Sequence, residues 1–518
     1  PGPMYGREPL GAGVCCGSLL RGRDAIGMSR DALTTASSPD AGRYYIASRA
    51  IKPGETVLSA RPDVWAPLWP CELSELSARE INVMRADAGP SPPVTAPSNE
   101  AEEETRELIG SCSQYWLLAV RAALLSQDDT ATFSSVLTLE DHGETRPPLL
   151  QQKLAALCCR MQRALEAGAG VRLEAAVLQR VLGCILVNAF GTRRGLFGSA
   201  ASGDADGAGV FVRASLFNHD CRPACYADLS LRPREAAAGA GAAAGAAAGA
   251  GAAAGAARGS IRFVACRAVA EGELVTISYL DTSEPTHVRQ RILRRTKHFV
   301  CRCELCRDPD EGGRCGALLR CPAPGCPGWQ RPAPPPPAPA EAWVCERCDA
   351  RTSRAEVWAL EAGLRLALAQ ADAEAAERDY AQLERRALGR LHPEHAIVLH
   401  ARLARIAYGL RGSAADAAEA RRRIGLAEET LSSARRLLEP FDTQKADLLF
   451  RLGSWHHALG ALSPAGSAAA REAYHAGGRC LLESSQQFAF VCGREEKPTR
   501  AARELAALCM RSLKAARG

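Results

Sequence analysis

Cysteine spacing is the feature that most restricts how this chain can fold. The sequence has 21 cysteines in 518 residues, with a dense group between Cys301 and Cys348. The first segment of this group, Cys301-Arg-Cys303-Glu-Leu-Cys306, places three thiols within six residues. Three thiolates bind zinc tightly, but a closed structural site takes a fourth ligand, so a distant residue must complete it. Cys221 is our candidate for that ligand, and the alternative is that Cys221 is a buried free cysteine.

A second set of cysteines has the spacing of a zinc ribbon. Cys321 and Cys326 are separated by four residues, Cys345 and Cys348 by two, and a Pro-rich loop lies between the pairs. Two close pairs joined by a loop are typical of four-thiolate zinc sites. Because the N-terminal residues lack the order of a signal peptide, we expect zinc binding rather than disulfides. The sequence therefore predicts two structural zinc sites, with Cys315 as a surplus thiol.

Composition changes along the chain indicate its organisation. Residues 43–58, RYYIASRAIKPGETVL, predict two short strands broken by a turn, and residues 261–264 and 273–279 predict further strands. From about Arg354 the chain is rich in Ala, Leu and Arg with helical periodicity. We predict the following segments: an irregular N-terminus over 1–41, a split β-rich domain over 42–283, the zinc segment over 284–350, and a helical domain over 354–518. The split domain carries two predicted inserts, a helical one over about 100–185 and one of only Ala and Gly over 236–257.

Charge and hydropathy restrict the partners. The formal net charge of +6 permits an acidic or nucleic-acid partner without arguing for one. The basic run from Arg289 to Lys297 could bind an acidic partner, but such a run is more often the solvated face of a helix. No sufficiently long apolar run occurs, so we expect no membrane-spanning helix. The cysteine sets lack the histidines and helix spacing of DNA-binding fingers, so direct DNA binding is not expected.

The cysteines lie within an ordered series of motifs. ASLFNHDCRPAC at 214–225 is followed by GELVTISYLD at 272–281 and then by CRCELC at 301–306. This order resembles the SET domain of protein-lysine methyltransferases, most closely the SET-and-MYND group and its arthropod members. Further matches to that group are RAIKPGETVL at 49–58, VNAFGT at 187–192, the second cysteine set, and the helical tail with LHPEHAIVL at 391–399.

The resemblance implies an α+β protein. Its parts would be a β-rich SET fold with a helical insert, a post-SET zinc site, a small zinc ribbon and an all-α, tetratricopeptide-like C-terminal domain. The implied cofactor is S-adenosylmethionine, and its implied contacts are Gly42, Arg43, Asn188, Ser215, Asn218, His219, Tyr279 and Phe299. Tyr279 would be the catalytic tyrosine, and Phe299 would form a wall of the channel that admits the target lysine. The implied ligands of the two zinc ions are Cys221, Cys301, Cys303, Cys306, Cys321, Cys326, Cys345 and Cys348.

The sequence departs from the group's pattern at three places. The zinc-binding MYND module would lie near Cys71, but no second cysteine pair is found there, so we predict no MYND site. The cofactor loop of the group reads Gly-x-Gly, whereas this chain has Gly42-Arg43-Tyr44, and a Tyr resists the close approach that Gly allows. The group often has an aromatic residue two positions before Phe299, and this chain has Lys297 there.

Two functions follow from these expectations. The first is methyl transfer to lysine side chains of histones or other proteins, by a monomer in the nucleus, the cytoplasm or both. The second is a non-catalytic scaffold that keeps the SET fold and binds protein partners through its C-terminal helices. Taken without their neighbours, Asn218 fits a turn residue, His219 a core histidine and Tyr279 a packing residue.

Overall fold

The protein is represented by a computed structural model. It describes residues 32–38, 42–67, 76–87, 115–191, 207–230, 260–336, 338–371, 377–410, 412, 414–491, 493–494 and 496–516. Cys71, and with it the predicted absence of a MYND site, lies outside these residues, as does the Ala/Gly insert over 236–257.

Short strands make up much of the first half of the described chain. Their bounds are Leu33–Ser38 (β1), Gly42–Ala47 (β2), Thr56–Ala60 (β3), Val64–Pro67 (β4), Ala189–Gly191 (β5), Gly207–Val210 (β6), Asn218–His219 (β7), Cys225–Ser230 (β8), Ser260–Ala265 (β9) and Thr276–Ile277 (β10). β1 pairs with β2, β3 and β8 flank β9, and β4 and β5 flank β6, all in antiparallel order. β7 and β10 pair in parallel, which brings two distant motifs side by side.

The strand predictions are confirmed in part. Residues 43–58 form parts of β2 and β3, with a turn in which the Glu55 N–H donates to the Lys52 carbonyl over 3.1 Å. The prediction of an irregular segment over 1–41 is wrong for Leu33–Ser38, because this stretch pairs along its whole length with β2. The strand predicted over 273–279 is shorter, since the N–H of Tyr279 donates to a histidine side chain instead of a neighbouring strand.

Among the residues that the structure describes, five α-helices lie between β4 and β5. They are Ala78–Ala86 (α1), Trp116–Asp128 (α2), Thr130–Leu137 (α3), Pro148–Ala169 (α4) and Ala175–Asn188 (α5). Helix α1 begins with a capping box between Ser77 and Glu80, and α4 ends at Gly170, whose φ of 67° suits a glycine. The five helices pack on one apolar core that also receives β4 and β6.

The second half of the chain begins with a helix that leads to the cysteine segment. The elements are Thr286–Lys297 (α6), Glu304–Arg307 (α7), Leu319–Arg320 (β11), Trp329–Ala333 (β12), Ala342–Cys345 (β13) and Arg351–Ser353 (β14). The four strands form one antiparallel sheet in chain order, so consecutive strands are neighbours. Trp343 lies fully buried behind this sheet and donates its indole N–H to the Ala317 carbonyl over 2.8 Å.

Every element that the structure describes after β14 is helical. The bounds are Arg354–Gln370 (α8), Glu377–Leu388 (α9), Ala396–Ala404 (α10), Ala417–Leu437 (α11), Thr443–Leu462 (α12), Ala468–Val491 (α13) and Lys497–Ala515 (α14). The predicted α+β class and the helical C-terminal region are thereby confirmed. An apolar helix of membrane-spanning length does not occur among the described residues.

A buried carboxylate joins α6 to the C-terminal helices. Glu361 of α8 lies 2.8 Å from His287 Nε2 and 3.2 Å from His395 Nε2, and all three side chains are buried. Burial alone would raise the pKa of Glu361, but the two histidines outweigh it and hold the pKa well below its usual range. Arg365, also on α8, makes a paired contact with both carboxylate oxygens of Glu284. The residues just after Tyr279 are thus tied to the helical region.

Candidate functional site

Four sulfur atoms meet between α6, α7 and the turn after β7. They belong to Cys221, Cys301, Cys303 and Cys306, and all lie within 4.8 Å of one another. The Sγ atoms of Cys221 and Cys306 are 3.5 Å apart. In a tetrahedral site with zinc–sulfur bonds of about 2.3 Å, neighbouring sulfurs lie roughly 3.8 Å apart, so this donor set fits a zinc ion. We refer to these residues as the first cluster.

A buried arginine faces the first cluster. Arg289 of α6 is only 1% exposed, and one of its nitrogens lies 3.7 Å from Cys306 Sγ. The same guanidinium lies 3.5 Å from Glu311, and it donates to Thr286 Oγ1 over 2.7 Å. The interpretation of 289–297 as a solvated helix face is therefore wrong for Arg289. Sequence reasoning missed this residue because its neighbours in the run are also basic.

The second cysteine set forms a cluster on the four-stranded sheet. The sulfurs of Cys321, Cys326, Cys345 and Cys348 also lie within 4.8 Å of one another. Cys345 Sγ accepts from the Arg347 N–H over 3.4 Å, and a Cβ at Gly328 would come within 2.8 Å of that sulfur. A glycine is needed there because a side chain would enter the space of the thiol. We refer to these residues as the second cluster; both predicted groups could hold zinc.

The pairing of β7 with β10 brings His219 and Tyr279 together. The backbone N–H of Tyr279 donates to His219 Nδ1 over 3.1 Å, and the two rings lie 5.2 Å apart. Burial lowers the pKa of His219 to about 4, so the ring is neutral at pH 7. With Nδ1 accepting, Nε2 carries the proton and faces Cys221 Sγ at 3.2 Å. His219 therefore links Tyr279 to the first cluster.

Tyr279 and Phe299 form an aromatic wall beside this histidine. The Tyr279 hydroxyl donates to the Phe217 carbonyl over 2.5 Å, which fixes the ring. Phe299 stands edge-on to Tyr279 with ring centroids 6.5 Å apart and lies 6.0 Å from the His219 ring. Both aromatic rings pack against a buried apolar group that contains three leucines and Cys221, Cys301 and Cys306 of the first cluster. Burial raises the pKa of Tyr279, so its hydroxyl stays protonated over the physiological range.

Lys297, at the end of α6, lies against the same wall. Its ammonium is 5.3 Å from the centre of the Tyr279 ring and donates to the carbonyl of Val187, near the end of α5. Burial lowers the pKa of Lys297 to about 8. The next residue, His298, has a φ of 57° and lies with its ring 5.3 Å from that of His142. Sequence reasoning identified Lys297 as a departure from the group's pattern, but it did not predict that the side chain lies against Tyr279.

Within the described part of the chain, three other predicted cofactor residues direct their side chains to backbone carbonyls and not to Tyr279. Asn188 donates to the carbonyls of Glu140 and Cys184 over 2.7 and 2.9 Å. The other two engaged side chains are those of Arg43, which donates to the Thr138 carbonyl over 2.9 Å, and Ser215, which donates to the Phe211 carbonyl over 3.0 Å. These bonds to the chain itself leave a ligand fewer donors than the sequence indicates.

Two predicted cofactor residues have room for a ligand. The amide of Asn218 forms no hydrogen bond to the part of the chain that the structure describes, although the residue is half-buried. Gly42 has a φ of 62°, and nothing among the described residues lies within 4 Å of the position its Cβ would take. The turn over 214–216, which carries Ser215, packs against β2, which begins at Gly42. A side-chain amide without a partner among the described residues and an open glycine fit a polar ligand.

Comparisons with known proteins agree with these motifs. No protein-family model matches the chain. The human histone-lysine N-methyltransferase SMYD1 is 28% identical over 132 residues, which are 25% of this chain and 23% of SMYD1. A SET and MYND domain-containing protein of Dictyostelium discoideum is 26% identical over 184 residues, 36% of this chain and 30% of that protein. The SET domain-containing protein SmydA-8 of Drosophila melanogaster is 38% identical over 64 residues, 12% of this chain and 14% of SmydA-8.

The matched segments thus span less than a third of the length of each of these relatives. Within those segments, the similarity reaches SET and MYND proteins of three distant organisms. The resemblance found in the motifs is therefore confirmed: over these segments the chain is similar to SET and MYND proteins.

Proposed function

We propose that this protein transfers the methyl group of S-adenosylmethionine to lysine side chains of proteins. The observation that carries the proposal is the meeting of His219, Tyr279 and Phe299 beside the first cluster. SMYD1, a relative over part of the chain, is named as a histone-lysine N-methyltransferase. The substrates proposed are therefore histones or other proteins.

The proposed cofactor site lies at the side of the wall where Asn218 and Gly42 are open. S-adenosylmethionine, when bound, supplies an activated methyl group on a sulfonium. Asn218 and His219 would bind it together with Asn188. The side-chain nitrogen of Asn188 donates to two carbonyls of the chain, and its amide oxygen takes no part in those two bonds. Gly42, Arg43 and Ser215 would form the other side, through backbone atoms where their side chains are engaged.

Tyr279 and Phe299 would act on the target lysine. An aromatic channel disfavours a charged ammonium, so the lysine more readily becomes the neutral amine that can accept a methyl group. The Tyr279 hydroxyl donates a hydrogen bond to the Phe217 carbonyl, so its oxygen is left with lone pairs that can accept from a group in the channel. Catalysis would then consist mainly of positioning and electrostatics.

We further propose that each cluster binds one structural zinc ion. The first would fix the wall that Tyr279 and Phe299 form, and the second would fix the four-stranded sheet. The further proposals are a tetratricopeptide-like helical domain that binds protein partners, a monomeric chain without direct DNA binding, and a location in the nucleus, the cytoplasm or both.

Calorimetric titration of zinc-loaded protein with S-adenosylmethionine tests the proposal. We expect micromolar binding that Asn218→Ala abolishes, because the variant removes the open amide. Asn82→Ala, at an exposed position of α1, is the matched control and should bind as the parent does. Absence of binding by well-folded protein would refute methyl transfer and favour a scaffold that binds partners.

A further inference from the structure

Lys297 places a primary amine at the proposed reaction site. Its Nζ lies over the face of Tyr279, 5.3 Å from the ring centre, and donates to the carbonyl of Val187. Val187 directly precedes Asn188, which is proposed to bind the cofactor. The amine therefore lies between the C-terminal end of α5, which carries the proposed cofactor residue Asn188, and the ring of the proposed catalytic tyrosine. A substrate lysine would have to bring its own amine to this wall.

The backbone at the end of α6 explains why the side chain points there. His298 adopts a φ of 57°, which ends the helix and reverses the chain immediately after Lys297. Lys297 is thus directed toward α5, while Phe299, two residues later, stands edge-on to Tyr279. Phe299 of the wall and the inward-directed Lys297 are therefore carried by three consecutive residues.

A purely structural role for Lys297 must be set against this placement. The Val187 carbonyl is close to the C-terminal end of α5, where a cation is favourable and a carbonyl lacks a partner within its helix. An arginine would serve that role at least as well. A methyl acceptor, in contrast, requires a lysine, and this difference separates the two roles by experiment.

The surroundings of Lys297 favour the neutral amine that methyl transfer needs. Burial lowers the pKa of Lys297 to about 8, so in roughly a tenth of the molecules this amine is neutral at pH 7. The facing histidines are His142, His219 and His298, and burial lowers the pKa of each, to about 4 for the last two. They are uncharged above pH 7 and do not change the charge around Lys297 as it titrates.

We propose that Lys297 is a methyl acceptor within its own chain, so that the protein methylates this residue at the Tyr279 site. The inference rests on the proposed methyl transfer and adds a modification site to it. Lys297 first loses a proton to solvent. The nitrogen lone pair then forms the N–C bond, the S–C bond of S-adenosylmethionine breaks with its electron pair on sulfur, and a methylammonium and neutral S-adenosylhomocysteine result.

Methylation would alter the contact that Lys297 makes. With one or two methyl groups, the ammonium keeps its charge and at least one N–H that can donate to the Val187 carbonyl. With three methyl groups it keeps its charge but has no N–H. The added volume beside Tyr279 would also narrow the channel. Self-methylation is therefore expected to lower the rate at which external lysines are methylated.

Mass spectrometry of full-length protein incubated with isotopically methyl-labelled S-adenosylmethionine tests the proposal. The chain has only six lysines, so the label is readily assigned: Lys52, Lys153, Lys297, Lys445, Lys497 and Lys514. We expect label on Lys297, with a first-order rate that does not depend on protein concentration. Lys297→Arg keeps the charge but should lose at least about nine-tenths of the label. Lys153→Arg, exposed on α4, is the matched control and should keep it.

Free histones added to the same reaction distinguish self-methylation at Lys297 from methyl transfer to other proteins. Labelled histones with unlabelled Lys297 would refute the inference and leave the proposed function standing. A self-labelling rate that rises with protein concentration would also refute it, because the acceptor would belong to another copy. No cofactor binding and no label anywhere would refute the proposed function, and the inference with it.

A readout without cofactor tests the placement of the amine. In nuclear magnetic resonance spectra of protein carrying ¹³C-labelled lysine, the Lys297 side-chain signal is assigned as the one that is missing from Lys297→Arg. This signal should titrate near pH 8, whereas those of exposed lysines titrate near about 10.4. A Lys297 signal that titrates with the exposed lysines would place the amine in solvent and overturn the proposal.

Discussion

The two cysteine clusters contain the same four thiols but differ in what they join. The first cluster connects Cys221 to a segment that ends 85 residues later, three of its four cysteines are buried, and these belong to the apolar group against which Tyr279 and Phe299 pack. The second closes over 27 residues between Cys321 and Cys348, and its last cysteine is exposed. The first is therefore a long-range tie behind the proposed reaction site, whereas the second is a local brace. Two clusters with identical ligands can therefore differ in how much the reaction site depends on them.

The largest expected effect comes from breaking the first cluster. Cys221→Ser removes the one ligand contributed from outside the 301–306 segment. The zinc ion would then no longer hold that segment, and with it Phe299, in place against Tyr279. We expect methyl transfer to fall by more than about 100-fold, since small misplacements of reacting groups have effects of that size. Initial rates on histones measure the change, and elemental analysis should find about one zinc per chain instead of two. Normal rates in the variant would mean that the tie is not needed.

The next expected effect is on stability and tests the buried charge beside the first cluster. Arg289→Met leaves Glu311 and the cysteine thiolates without their buried cation. We expect unfolding by urea to require about 3 kcal/mol less free energy, as is usual when one partner of a buried pair is removed. Arg347→Met, exposed next to the second cluster, is the control and should change stability by less than about 0.5 kcal/mol. Equal losses of stability in the two variants would mean that the buried arginine beside the first cluster matters no more than the exposed one beside the second.

A third prediction separates the wall from the cluster that supports it. Tyr279→Phe removes the hydroxyl that donates to Phe217 but leaves the ring and both clusters intact. Transfer should fall by about 100-fold, equivalent to about 2.7 kcal/mol, while cofactor binding and zinc content stay unchanged. Rates are compared with calorimetry on the same samples. An unchanged rate would exclude the assigned role of the hydroxyl.

The smallest effect is expected at the second cluster. Cys348→Ser removes an exposed ligand from the four-stranded sheet, and zinc content should fall from about two to about one per chain. Transfer should change by less than about 3-fold, because the sheet does not contribute to the aromatic wall. Faster amide exchange should be confined to the sheet. A loss as large as that of Cys221→Ser would show that both clusters support the reaction site.

Local patterns predicted those parts of the protein that depend on residue spacing. The strands on either side of the Lys52–Glu55 turn and the helices after Arg354 follow from periodicity and turn chemistry. Both groups of four cysteines follow from the ligand requirements of zinc, although Cys221 had to be brought in from a distant motif. Periodicity did not reveal strand β1, because its pairing with β2 is a tertiary property.

The features that sequence reasoning missed depend on contacts between distant elements. Arg289 is buried because Glu311 and the first cluster face it, and neither is its neighbour in sequence. Lys297 points inward because the chain reverses at His298 and the end of α5 lies opposite. Asn188 and Arg43 bond to backbone carbonyls that no motif names. Spacing identifies which residues have the right chemistry, and packing decides which of them remain available.

The long reach of the first cluster also bears on how freely this part of the chain can vary in length. The span from Cys221 to Cys306 includes the 22 residues of Ala and Gly between β8 and β9. The entropy of closing a flexible loop grows only with the logarithm of its length, so shortening the span from 85 residues to 63 would change closure by about 0.3 kcal/mol. Expansion or contraction of this repeat is therefore nearly neutral for formation of the site, and related chains are free to differ there while keeping the same four ligands.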